Sequence, residues 1–142
     1  MPRIDWNENF SVGNAEIDAQ HQRWIAIHNE LHEILINCRK EDLKTASVST
    51  VEAMQEYAKY HFSFEEEYID KLGYPGRDNH IQYHRGFGVM VGKYLRDLRN
   101  GDIILDTELM KTLKRWLEGH ILIEDKKYAQ FAADKNATPS SS

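Results

Sequence analysis

The sequence predicts an all-α protein, an antiparallel up-down-up-down four-helix bundle with an N-terminal arm. Three observations carry this: four stretches with apolar residues at three-and-four spacing, short Gly- or Pro-bearing links between them, and an opening segment without helical period. The first stretch runs from Ile17 to about Cys38, with Trp24, Ile25, Ile27, Leu31, Ile34 and Leu35 along one stripe. The second runs from about Ser47 to Leu72 and carries Val51, Met54, Tyr57, Ala58, His61, Phe62, Glu65 and Ile69; Gly73 and Pro75 stop it. Asp78 is the expected cap of a third helix that reaches about Leu98 and is closed by Asn100 and Gly101. Inside it Gly86, Gly88 and Gly92 each cost about 1 kcal/mol relative to Ala, and close packing between helices is the expected reason for them. Asp106 or Thr107 opens a fourth helix through Leu109, Leu113, Trp116, Leu117, His120 and Ile121 to about Phe131. Residues 1–16 read as an arm laid across the bundle. The expected domain therefore spans residues 1–131, and residues 132–142, ending in ATPSSS, read as a flexible tail.

Composition narrows the function. The chain has 142 residues, 41% hydrophobic and 29% charged, which is enough apolar content to bury one core. A net charge of -5 without a clustered Lys/Arg face argues against nucleic acid. Cys38 is the single cysteine, so no intrachain disulfide can form and a reducing compartment is expected. The opening MPRIDWNENF lacks the apolar stretch of a secretory signal, and no run approaches the roughly 18 apolar residues of a membrane span. Cytoplasmic localisation without membrane insertion follows as the expectation. No Gly-rich phosphate loop, nucleophile elbow or HExxH pattern occurs.

Histidines dominate what remains. Of seven, five can be placed inside the bundle in the company of carboxylates: His21, His61, His80, His84 and His120. His61 with Glu65, and His80 with His84, are each four apart, offset by about 40° around a helix and about 6 Å along it, so both members of a pair can face one point. Either pair alone could be a surface ion pair or chance. Together, on helices whose apolar stripes turn them inward, they would be costly to bury unless a metal repaid the desolvation. If Glu65 and one acidic residue near His120 each bridge two ions, and a solvent oxygen bridges them too, about eleven of the twelve positions of two octahedra are filled. One stays open.

Four segments, IDAQH (17–21), HFSFE (61–65), HIQYH (80–84) and HILIED (120–125), resemble the hemerythrins, in particular the single-domain bacterial form, over about Trp6 to Tyr128. That resemblance implies two non-haem iron ions with an oxo or hydroxo bridge and dioxygen as ligand. It implies one iron held by His80, His84 and His120, the other by His21 and His61, with Glu65 and Asp125 bridging. Spacing alone selects Glu124, four residues after His120, whereas the resemblance selects Asp125, about 140° around an ideal helix from His120. A bridging carboxylate need not share the direction of His120, and a local widening of the helix would help it reach. Trp24, Phe62, Leu117 and Ile121, within a turn of the ligands, are the candidate walls of an apolar dioxygen pocket, and ordinary core packing is their competing role. Hemerythrins more often carry a smaller aliphatic residue at the position of Trp24. His28 and His32 lie on nearly the same face as His21 but about 10 and 16 Å farther along, too far for the same centre, and structural or supporting roles are expected.

The expected function is reversible dioxygen binding for storage or delivery, not enzymatic turnover, by a monomer with an oxygen-consuming protein as a candidate recipient. The competing reading is a di-iron peroxidase or oxidase, or a nitric-oxide or oxygen sensor, using the same centre. A ferritin-like oxidase is disfavoured because no Glu-x-x-His occurs in the chain. A helical interaction module with adventitious zinc fits poorly, since zinc usually settles for four ligands.

Overall fold

A computed structural model describes residues 3–137, and every regular element within them is helical. Helices α1 (Ala15–Asn37), α2 (Leu43–Leu72), α3 (Arg77–Asn100) and α4 (Thr107–Gly119) are followed, without a break in direction, by a π-helical turn (His120–Asp125) and α5 (Lys126–Ala137). The last three segments make one rod, so the molecule is the expected four-helix bundle. Of the segment expected to form a tail, residues 132–137 continue α5, and residues 138–142 lie outside the described residues.

Local chemistry sets the boundaries. Asn14 caps α1 by accepting from the Ile17 N–H, and Asp106 caps α4 by accepting from the Leu109 N–H at 2.8 Å. Gly73 and Gly101 end α2 and α3 at φ 76° and 77°, left-handed values that glycine adopts without penalty. Two expectations need correction. α2 begins at Leu43 rather than near Ser47, because a 3-10 turn at Lys40–Asp42 leads straight into it and the Ser47 hydroxyl bonds back to the Leu43 carbonyl. Asp78 is not the cap of α3: Gly76 holds that position, and Asp78 lies in the first turn, where its charge still suits the helix dipole.

The α3 glycines also differ from expectation. A Cβ at Gly86 or Gly88 would meet no atom within 4 Å, and one at Gly92 would meet only the Gln55 amide at 3.8 Å, so none marks a tight helix crossing. Their outward placement leaves only the backbone cost. Gly86→Ala and Gly88→Ala are therefore expected to stabilise the fold by about 0.5–1 kcal/mol each, read as a higher urea midpoint at unchanged slope. Unchanged or lower midpoints in both would mean that α3 needs flexibility there.

The arm lies against the bundle as expected. Ile4, Phe10 and Val12 are buried, the Asn29 side chain pairs with both backbone groups of Ile4, and the Lys126 ammonium donates to the Ser11 carbonyl. More telling is the division of the core. The larger cluster contains Trp24, Ala58, Phe62, Phe87, Leu117 and Ile121; a smaller one contains Val12, Ile17, Ile69 and Tyr128. On α1, α2 and the fourth rod, the residues between the two clusters are His21, Glu65 and Asp125. A buried polar layer thus sits between two apolar ones.

Candidate metal centre

Each rod supplies donors to this layer: His21 from α1, His61 and Glu65 from α2, His80 and His84 from α3, and His120 and Asp125 from the fourth. All seven are buried. The four-residue spacings work as regular α-helix requires, and both partners of each pair reach the same interior point. The fourth rod solves a harder problem. His120 and Asp125 are five apart, and the backbone between them is π-helical, a widened turn in which residues five apart align. Glu124, the alternative, turns outward to Lys127, with its two carboxylate oxygens 3.2 Å from the ammonium.

The donors form two groups that share Glu65: Glu65, His80, His84 and His120 in one, His21, His61, Glu65 and Asp125 in the other. Glu65 Oε1 lies 2.6 Å from His80 Nε2 and 3.0 Å from His84 Nε2, while its Oε2 lies 3.1 Å from His61 Nε2. Asp125 divides the same way, with Oδ1 3.0 Å from both His80 Nε2 and His120 Nε2, and Oδ2 3.1 Å from His21 Nε2. Nε2 atoms also face each other at 3.1 Å, His21 against His61 and His84 against His120.

Such a cluster is unfavourable by itself. Both Asp125 oxygens are buried without a hydrogen-bond partner among the described residues, although three imidazole nitrogens lie 3.0–3.1 Å away. Facing imidazole nitrogens repel unless a proton or cation lies between them. The residues therefore fit bound cations, and a mixed imidazole and carboxylate set of this size suits a transition metal with more than four ligands.

Charges in the metal-free cluster respond accordingly. Burial alone would lower His21 and His80, but the Asp125 and Glu65 carboxylates outweigh it and push both up to about 9. Burial wins at His61, which falls below its ordinary value. Burial would raise Glu65, yet the surrounding histidines, His61 first, hold it well below the usual carboxylate range; Asp125 is lowered too, against burial and the Glu65 charge, chiefly by His120. Cations would compete with protons for these nitrogens, so loading the centre is expected to release protons.

Trp24, Phe62, Leu117 and Ile121 all belong to the larger apolar cluster beside the centre. Phe62 stacks on His84 with ring centroids 3.8 Å apart, and Trp24 lies 5.4 Å from His61. His28 and His32 are buried on α1 but join neither donor group among the described residues. Three contributors were not foreseen. Gln20 Oε1 accepts from His61 Nδ1 and Glu66 Oε2 from His84 Nδ1, both at 2.7 Å, and the buried Tyr128 hydroxyl donates to Glu65 Oε2 at 3.1 Å. Gln20 and Glu66 each adjoin a candidate ligand in sequence, which is the only signal that marks them.

The family model described as "Hemerythrin HHE cation binding domain" matches residues 12–132. The chain belongs to the hemerythrin family. Among relatives it is similar to the bacteriohemerythrin of Stenotrophomonas maltophilia, 34% identical over 91% of this chain and 81% of the relative. A bacteriohemerythrin of Pseudomonas aeruginosa is 32% identical over 90% of this chain and 80% of that one. A solved wild-type hemerythrin superposes with a TM-score of 0.81 at 21% identity, covering 89% of this chain and 95% of that one, which supports the four-helix fold. Family and donor clusters together support binding of non-haem iron by this domain. No helix among the described residues is long and apolar enough to cross a membrane.

Proposed function

We propose that this protein binds dioxygen reversibly at a di-iron centre, for storage or delivery rather than turnover. The observation that carries this reading is the disposition of the two carboxylates: Glu65 and Asp125 each turn one oxygen to the His80, His84 and His120 side and the other to the His21 and His61 side. His80, His84 and His120 would hold one iron and His21 and His61 the other, with Glu65 and Asp125 as ligands shared between them. Iron at both positions would supply the electrons that reversible dioxygen binding needs, and the two-histidine side, with fewer protein donors, would be the side that takes the gas.

The remaining residues orient and shield. The Tyr128 hydroxyl occupies a lone pair of Glu65 Oε2 and holds that carboxylate across the two sides. Trp24, Phe62, Leu117 and Ile121 keep water from the centre, which protects the ferrous state. The bacteriohemerythrin relatives support the same direction of reading.

Anaerobic reconstitution, metal analysis and absorption spectra through repeated addition and removal of dioxygen test it. Two irons per chain with repeatable spectral cycling is the expected result. One tightly held ion per chain would overturn the di-iron assignment; sustained consumption of a reductant or peroxide would replace the carrier by an enzyme.

A further inference from the structure

Each side of the centre has one histidine whose outer nitrogen bonds a neighbouring side chain at 2.7 Å, and the two acceptors differ in charge. His61 Nδ1 donates to the neutral amide oxygen of Gln20, and His84 Nδ1 donates to the carboxylate of Glu66. Both bonds put the proton on Nδ1 and aim the Nε2 lone pair inward. By contrast, His21 Nδ1 and His120 Nδ1 are buried without a hydrogen bond. Gln20 is buried; the Glu66 side chain is 30% exposed and has no Lys or Arg partner among the described residues. Among the described residues, the carboxylate hydrogen-bonded to an outer histidine nitrogen is that of Glu66, and its charge reaches the centre through His84.

We propose that Gln20 and Glu66 are positioning residues that make the two metal positions electronically unequal, with Glu66 favouring the ferric state beside His84. This rests on the di-iron reading above. A carboxylate on the outer nitrogen raises the electron density of the imidazole and so stabilises the higher metal charge; an amide in the same place orients the ring without that bias. The phenyl ring of Phe62, stacked on His84, covers the imidazole face and limits screening by water. Electrons are consequently held less tightly on the His84 side. In the half-oxidised protein the ferric ion would belong with His80, His84 and His120, and the ferrous ion with His21 and His61, the side with fewer protein donors.

The test uses the full chain loaded with iron, compared as wild type, Glu66→Gln, Glu66→Ala and Gln20→Glu. Glu66→Gln keeps an acceptor for His84 but removes the charge, so it separates electronics from orientation. At a fixed applied potential it is expected to lower the ferric-to-ferrous ratio of the first oxidation about tenfold, which for a one-electron couple is a rise in midpoint of about 59 mV. Gln20→Glu is expected to lower the midpoint and narrow the difference between the two irons. Electron-nuclear double resonance on the half-oxidised wild type should find three imidazole nitrogens coupled to the ferric ion. Two coupled nitrogens, or wild-type midpoints in both Glu66→Gln and Gln20→Glu at two irons per chain, would overturn this proposal and leave the di-iron reading standing. A wild-type chain that cannot hold two irons would overturn both. Should Glu66→Gln fail to load, Gln20→Glu and the nitrogen count decide.

Discussion

Asp125→Asn is expected to abolish the full two-iron load, whereas Glu124→Gln leaves it intact. Asp125 is fully buried and divides its two oxygens between His80 and His120 on one side and His21 on the other. Asparagine keeps the shape but substitutes an N–H donor group for one oxygen and removes the charge. An N–H group cannot coordinate a cation, and the buried site then has one carboxylate against five imidazoles. The loss should exceed the about 10-fold to 100-fold typical of removing a supporting residue, because the proposed donor to both ions is gone. Glu124 loses only its ion pair with the exposed Lys127, a contact of little energetic weight. Iron per chain after anaerobic reconstitution decides the matter. A full load in Asp125→Asn with a deficit in Glu124→Gln would reverse the assignment.

Trp24→Ala is the second large change, and it should act on stability and on the centre together. The indole is 1% exposed and contacts Phe62, Phe87 and Trp116 with ring centroids 5.3, 5.2 and 5.9 Å away, besides His61. Truncation removes this aromatic hub and leaves a cavity, a loss of about 3–5 kcal/mol for a large buried aromatic. The metal-free protein should show it as a fall in denaturant midpoint. In the iron-loaded protein the same cavity admits water beside His61, so autoxidation should accelerate. Leu117→Ala should speed autoxidation with a smaller stability loss, since fewer atoms are removed. Autoxidation at the wild-type rate in both variants would end the shielding role of these residues, whatever their stability.

Much of this molecule can be read from spacing. Apolar stripes on four stretches, with Gly73 and Gly101 as stops, suffice for a bundle because a helix with one apolar face has to bury it against another. His61 with Glu65, and His80 with His84, are legible as pairs because regular helix geometry brings residues four apart to the same side. Other features required the packed structure. Gly86 and Gly88 suggested tight crossings, yet they face outward, since composition does not say which side of α3 meets a neighbour. Asp78 suggested a cap, yet the Tyr74 to Gly76 link lets the helix begin two residues earlier. Gln20, Glu66 and Tyr128 carried no spacing signal, because their partners lie on other rods.

The division has a physical cause. Helical period and residue chemistry are local, and they determined by themselves that four amphipathic rods would form and that five histidines with acidic companions would face their common interior. Distances between rods are not local. Only the tertiary structure decided that Glu65 and Asp125 straddle two clusters, that a π-helical turn brings Asp125 rather than Glu124 inward, and that a charged residue supports His84 where a neutral one supports His61. Those outcomes depend on how side chains of different helices interlock at about 3 Å, a scale at which packing, rather than pattern along the chain, selects the partner.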